Sequence, residues 1–210
     1  MTKYLITPTL INSYQYYIND EFKSPADSRA DFLKTLSRER FEPNEAMQKG
    51  IDFEAKVFSY CNERSWECNY VMEQHSSMPD QALNIAMIVS GGIWQQTCKK
   101  NLQVGNQEFL VYGKIDVVKQ DTVYDIKFTS NYELGKFLNS AQHLIYLYCT
   151  GLPKFQYLIS DGKDYWIEDY YNHANIENEI KSKISDFLGY LENDKEAKEI
   201  FETKWRIKND

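Results

Sequence analysis

The chain has 210 residues, 42% hydrophobic and 26% charged, with 24 Lys and Arg against 31 Asp and Glu for a formal net charge of −7. That length suits one cored domain over 1–210, since domains cluster at roughly 100 to 200 residues, and no apolar run approaches the ~18 residues of a membrane-spanning helix. The acidic balance weighs against a protein that coats nucleic acid non-specifically, whose affinity comes from Lys and Arg on phosphates. It does not exclude an enzyme acting on DNA, because cations held by a carboxylate cluster offset its charge.

The amino terminus, MTKYLITPTLINSYQYY, carries one Lys and an apolar run broken by Thr, Pro and Asn. It lacks the apolar centre and small-residue cleavage site of a secretory signal, so a cytoplasmic location, in a bacterial cell or a phage-infected host, is the expectation. Residues 1–43 read as short helical pieces with Pro8, Pro25 and Pro43 as breaks. Tyr4, Tyr14, Tyr16 and Tyr17 fall here. They are candidates to stack on bases of a single strand, although aromatic residues so placed more often pack on a core. Asn44 is a reasonable cap for a helix running to about Asn62. Its apolar row Met47, Ile51, Phe58 and Cys61 has helical spacing, and the position completing that row is Glu54, which sets a carboxylate where a core residue is expected.

A second apolar helix covers Asp80 to about Val89 and ends at Gly91-Gly92. Strands follow: Ile93 to Val104, a turn at Gly105-Asn106, Gln107 to Val118, and Thr122 to Phe128, all rich in Val, Ile, Tyr and Phe, which together read as a β-meander. Helical spacing resumes from Tyr132 to Tyr148 and stops at Gly151-Leu152-Pro153. A hairpin from Phe155 to Tyr170 turns at Asp161-Gly162, and 171–210 reads as one or two helices.

Side chains in a strand alternate faces, so Asp125 and Lys127 in VYDIKF share one face and Ile126 takes the other. A two-residue turn at Gln120-Asp121 pairs Val118 with Val123 and sets Asp116 directly opposite Asp125. Opposed residues have Cβ atoms about 5 Å apart, close enough for two carboxylates to hold one divalent ion. Isolated matches of this kind are usually a solvated sheet face. Here the flanking GKIDVV and TVYDIKF are mostly apolar and suggest a central hairpin, where such charges are costly unless paired or metal-bound. Downstream, Gln142 and Tyr146 lie four apart and stack on one helix face, a pair that by itself usually means core packing.

This ordered set resembles the RecB-like branch of the PD-(D/E)XK nucleases. That family's pattern is a helix-borne acid or His after a Gly, then GxxD, then (D/E)xK, then QxxxY; here the matches are Gly50 to Glu54, Gly113 to Asp116, Asp125 to Lys127 and Gln142 to Tyr146. The resemblance spans 50–146 and leaves 1–43 and 171–210 as helical additions. It implies an α/β fold with a restriction-endonuclease-like core, a central mixed sheet flanked by helices. It further implies Mg2+ or Mn2+ on Glu54, Asp116, Asp125 and the main-chain carbonyl of Ile126. Lys127 is then expected to position or deprotonate the attacking water, and Gln142 and Tyr146 to orient Lys127 or contact the DNA backbone. Family members act as ring-shaped trimers or as monomers, so a homo-oligomer is open to this chain.

The implied activity is metal-dependent hydrolysis of DNA by a stand-alone exonuclease used in recombination, repair or phage DNA processing. Any single-strand-annealing or helicase partner is then a separate chain. The rival readings are a structure-specific or restriction-type endonuclease with the same site, and a non-catalytic binding or inhibitor protein that keeps the fold. Glu54 departs from the His common in bacterial recombination nucleases and matches the acid of lambda exonuclease. Cys61, Cys68, Cys98 and Cys149 lack zinc-site or iron–sulfur spacing, which makes reduced thiols the default. His75, His143 and His173 are too dispersed for a metal triad and read as surface or helix-edge residues, with His143, beside Gln142, a candidate for the rim of the site. Ser76-Ser77 near His75 forms no supported hydrolase triad.

Overall fold

The structure, a computed structural model, describes residues 3–19, 23–40, 42–62 and 80–207. His75, Ser76, Ser77 and Cys68 lie outside the described residues. Strand β1 (Lys3–Ile6) precedes helices α1 (Pro8–Asn19) and α2 (Pro25–Leu36). Pro8 and Pro25 therefore start helices rather than interrupt them: proline suits a first helical position, where no N–H partner is needed. The Ser24 hydroxyl accepts the Asp27 N–H at 3.2 Å to cap α2. Strand β1 corrects the all-helical reading of this region. Four residues are too few to show periodicity, and the partner of β1 lies about a hundred residues away, in parallel register from Lys3↔Glu108 to Ile6↔Val111.

Helix α3 (Glu45–Asn62) is capped as expected, the Asn44 side chain accepting the Met47 N–H at 2.9 Å. Its expected core row is a correction: Met47, Ile51 and Phe58 are exposed and Cys61 is half-buried, whereas Val57 is the buried residue. The helix meets the sheet through Val57, Phe53 and Tyr60; of the other row Phe58 rests edge-on against Trp94 and Cys61 against the smaller core, while Met47 and Ile51 stand exposed. Helix α4 (Gln81–Val89) follows with Asp80 as its cap.

Strands β2 (Ile93–Val104), β3 (Gln107–Lys119) and β4 (Thr122–Phe128) form the meander. Gln120 takes φ 52° at the β3–β4 turn, as tight hairpins matched to strand twist require. Helix α5 (Ala141–Thr150) is shorter than the expected Tyr132 start. Gly135 at φ 83° and the Ser140 cap hold 132–140 as turns, and the Glu168 carboxylate ties that segment down by accepting from Tyr132 Oη at 2.7 Å and Gly135 N at 2.9 Å. Strands β5 (Lys154–Ser160) and β6 (Tyr165–Tyr171) and helices α6 (Ile176–Asn193) and α7 (Lys195–Lys204) complete the chain.

Among the described residues the six strands form one mixed sheet flanked by helices, the architecture expected. Strand β2 runs antiparallel along one edge of β3, while β1 and β4 divide the other edge; β4 pairs in parallel with β5 across α5, and β5 with β6 antiparallel. One face carries the larger core, built with Leu10, Phe32, Ile145, Phe187 and Phe201 from α1, α2, α5, α6 and α7. The other carries a smaller one, in which Val57, Ile85 and Val89 from α3 and α4 meet Val117, Ile126 and Leu158.

Candidate active site

The sheet changes face at Asp116. Phe109, Val111 and Ile115 of β3, with Cys98 and Leu102 of β2, pack in the larger core, yet Val117 and Trp94 pack in the smaller one. In a regular strand 115 and 117 share a face, so β2 and β3 rotate together between them. The pairing shows the same break: Trp94↔Val117 and Gln96↔Ile115 are paired, while Gln95, opposite Asp116, is not and takes φ 55°. On the other side, the β3–β4 pairing runs from Lys119↔Thr122 to Val117↔Tyr124 and stops. The sequence placed Val118 with Val123 correctly, but Asp116 and Asp125 are not laddered partners. The reason is that Asp116 Oδ2 accepts the N–H of Ile126 at 2.9 Å, taking the place of the next strand-to-strand bond.

Asp125 is buried, at 1% exposure. Its Oδ1 accepts a hydrogen bond from Gln142 Nε2, and its Oδ2 lies 2.6 Å from Lys127 Nζ in an ion pair. No hydrogen bond is aligned on that Oδ2. Gln142 also donates to the Tyr146 hydroxyl at 3.4 Å, and that hydroxyl donates to the Lys114 carbonyl at 2.6 Å, on the stretch of β3 edge left open between β1 and β4. A Cβ at Gly113 would stand 2.3 Å from Tyr146 Cε1, so only glycine lets the tyrosine ring lie on the strand. The Gly113, Asp116, Asp125, Gln142 and Tyr146 positions are thus one packed unit. Gly50 has no such need, because nothing approaches the space its Cβ would fill.

Glu54 reaches the same region from α3, its Oε1 accepting from Gln95 Nε2 at 2.8 Å. Gln95 was not singled out in the sequence; a lone Gln in a strand carries no signal that its backbone will turn left-handed.

The electrostatics follow from burial and crowding. Asp116 is pushed up to about 8 by burial, with the charges of Asp125 and Glu54 adding to it. Burial raises Asp125 as well, against the pull of Lys127, and raises Glu54, reinforced by Asp125. Burial would lower Lys127, but Asp125, Asp116 and Glu54 outweigh it and hold the ammonium above its ordinary value. Three mutually repelling carboxyls beside one lysine are what a divalent cation relieves. Among the described residues, however, no three His, Cys, Asp or Glu side chains are gathered into a ready-made ligand set. Lys127 and Gln142 occupy Asp125, and Gln95 draws on Glu54. Ile126 is 6% exposed and lines, with Glu54 and Lys127, an open groove of about 880 Å³.

His143 is a correction. It is 5% exposed and stacks on Tyr170 with ring centroids 4.0 Å apart, and burial pushes it down to about 3, so it is a neutral core residue and not a rim group. His173 lies 3.6 Å from Glu179 on the surface, and Cys61, Cys98 and Cys149 are free thiols.

No family model and no curated protein matches the sequence. Among solved structures, the chain is similar to SSO0001, with a TM-score of 0.54 and 11% identity over 89% of this chain and 76% of that one. The likeness is one of fold. A weaker similarity, with a TM-score of 0.48 and 15% identity over 93% of this chain and 90% of the other, is to LHK-Exo, solved in complex with dAMP.

Proposed function

We propose that the chain is a divalent-metal-dependent deoxyribonuclease, an exonuclease that trims DNA ends in recombination, repair or phage DNA processing. The observation that carries this reading is the meeting of Glu54, Asp116, Asp125 and Lys127 at a break in the sheet, with Gln142 fixed on Asp125. Magnesium or manganese would be held by Glu54, Asp116, Asp125 and the Ile126 carbonyl. The donor chemistry fits: hard oxygen ligands suit these ions, and three carboxyls whose pKa values are raised by burial and by one another face each other here. Such an ion lowers the pKa of a bound water and polarises the scissile phosphate.

The chain's own residues do the rest. Lys127 is held as an ammonium, so it acts first by charge, beside the phosphate and the attacking water, and not as a free base. Gln142 fixes the Asp125 carboxylate through one oxygen, leaving the other toward Lys127. Tyr146 holds α5 on β3 and so sets where Gln142 stands.

The test is degradation of end-labelled linear duplex, single-stranded and closed circular DNA by purified protein with magnesium, manganese or chelator. Metal-dependent loss of linear DNA alone, abolished by Lys127→Ala in a folded protein, is the expected result. Cutting of circles moves the protein to the endonuclease class. No cleavage under any condition supports a non-catalytic binding protein.

A further inference from the structure

Four tyrosines near the amino terminus separate into two kinds. Tyr4 stacks on Phe201 at 5.1 Å between centroids, Tyr17 on Phe32 at 5.3 Å, and Tyr14 meets Phe187 at 5.4 Å, so all three are packing residues. Tyr16 is 72% exposed, and among the described residues its ring stacks on nothing and its hydroxyl makes no hydrogen bond. Burial of an aromatic face gives the reason for three of these residues and leaves the fourth without one.

The position of Tyr16 is specific. Together with Lys136 it lines both the 880 Å³ groove that contains Glu54, Ile126 and Lys127 and a neighbouring cavity of about 640 Å³. The two spaces therefore lie on either side of Tyr16 and Lys136, a line leading away from the carboxylate cluster. Exposed Met47 and Ile51 of α3 form one wall of the groove, and Asn19 and Asn139 bring amide groups to the cavity beyond. Lys136 Nζ is bound by neutral acceptors only, Thr129 Oγ1 at 2.8 Å and the Asn131 carbonyl at 2.6 Å. Lys183 Nζ donates to the Asn139 carbonyl at 3.0 Å at the cavity's edge. Lys183, however, faces Glu179 and Asp186 and lines neither space, so in a chain of net charge −7 it is Lys136, with neutral partners only, that brings positive charge to this line.

The geometry points to a binding site for an unpaired, single-stranded stretch of nucleic acid, with one base stacked on Tyr16 and its backbone drawn to Lys136. This inference rests on the nuclease reading of the carboxylate site and extends it to the form of the substrate. An aromatic face beside a lysine held by neutral partners suits a single strand, whose bases expose their faces for stacking while a phosphate meets the cation. A duplex conceals those faces and offers Tyr16 only its phosphates.

The experiment is an anisotropy titration of the full chain with a short fluorescein-labelled oligothymidylate and, separately, with a blunt duplex, in chelator so that nothing is cut. Tyr16→Ala is expected to weaken single-strand binding by about tenfold and to leave its salt dependence unchanged, while Tyr16→Phe binds as the parent does. Lys136→Gln is expected to reduce the slope of log affinity against log salt by about 0.7. Unchanged single-strand binding by Tyr16→Ala, in a parent that binds or cuts DNA, overturns the inference and leaves the nuclease reading standing. A preference for duplex that Tyr16→Ala does not alter also overturns it. A parent that neither binds nor cuts any DNA overturns both.

Discussion

Gln95 shows how one residue can hold a break in a sheet. Its φ of 55° is a conformation that side chains other than glycine's occupy at a cost of roughly 1 to 2 kcal/mol, and its amide reaches Glu54. Gln95→Gly removes the bond and the strain together, whereas Gln95→Ala removes only the bond. Urea denaturation is expected to show the alanine variant the less stable of the two, and equal stabilities would count against strain at this site. Asp116 gives a second residue-level prediction. Folding raises its pKa from 3.8 to about 8, so between those values the folded chain holds a proton that the unfolded chain has released. The contribution of this group to stability therefore falls as pH rises across that window. In chelator, Tm is expected to fall from about pH 5 to about pH 8, and Asp116→Asn is expected to flatten that fall; an unchanged slope in the variant would place the titration elsewhere.

At the scale of elements, α5 and β3 are matched through Gly113 and Tyr146. Gly113→Ala sets a methyl into the tyrosine ring, an overpacking expected to cost about 1 to 3 kcal/mol. Tyr146→Phe leaves the Lys114 carbonyl without its donor, at a similar cost of about 1 to 3 kcal/mol. Denaturant unfolding measures both, and because the two act at one contact, the double variant is expected to lose less than their sum. This contact also marks what the sequence could show. Strands β2 and β4 are legible residue for residue, because the turns at Gly105-Asn106 and Gln120-Asp121 and the glycines at 91–92 bound them, although β2 itself is largely polar. The gathering of Asp116, Asp125, Gln142 and Tyr146 was legible as an order of motifs. The direct opposition of the two aspartates was misread, since strand alternation assumes a regular ladder and Asp116 uses its own side chain to replace a bond of it. Helix α5 reads too long from sequence because Leu134, Leu138 and Ala141 carry helical spacing while the Glu168 carboxylate, thirty-six residues beyond Tyr132, fixes a turn there.

On the scale of the whole molecule, the proposed ion has a consequence for stability that needs no catalysis to be seen. A ligand bound only by the folded chain, at a hundred times its dissociation constant, stabilises by about 2.7 kcal/mol. Magnesium is expected to raise Tm in the parent and not in Asp125→Asn, and calorimetry with and without chelator would expose an equal rise in both as non-specific. The layout of the sheet bears on the order in which the protein is built. Strand β1 lies on the edge of β3 at 108–111, and its other side is closed by 205–207, where Leu5 N–H donates to the Trp205 carbonyl and Ile207 N–H to the Lys3 carbonyl, both at 2.8 Å. Strand β1 therefore waits for a partner about a hundred residues downstream and then for one about two hundred away. Contacts so distant along the chain form late, so Glu54, Asp116, Asp125 and Gln142 have all been synthesised before the seam between β1 and 205–207 can shut.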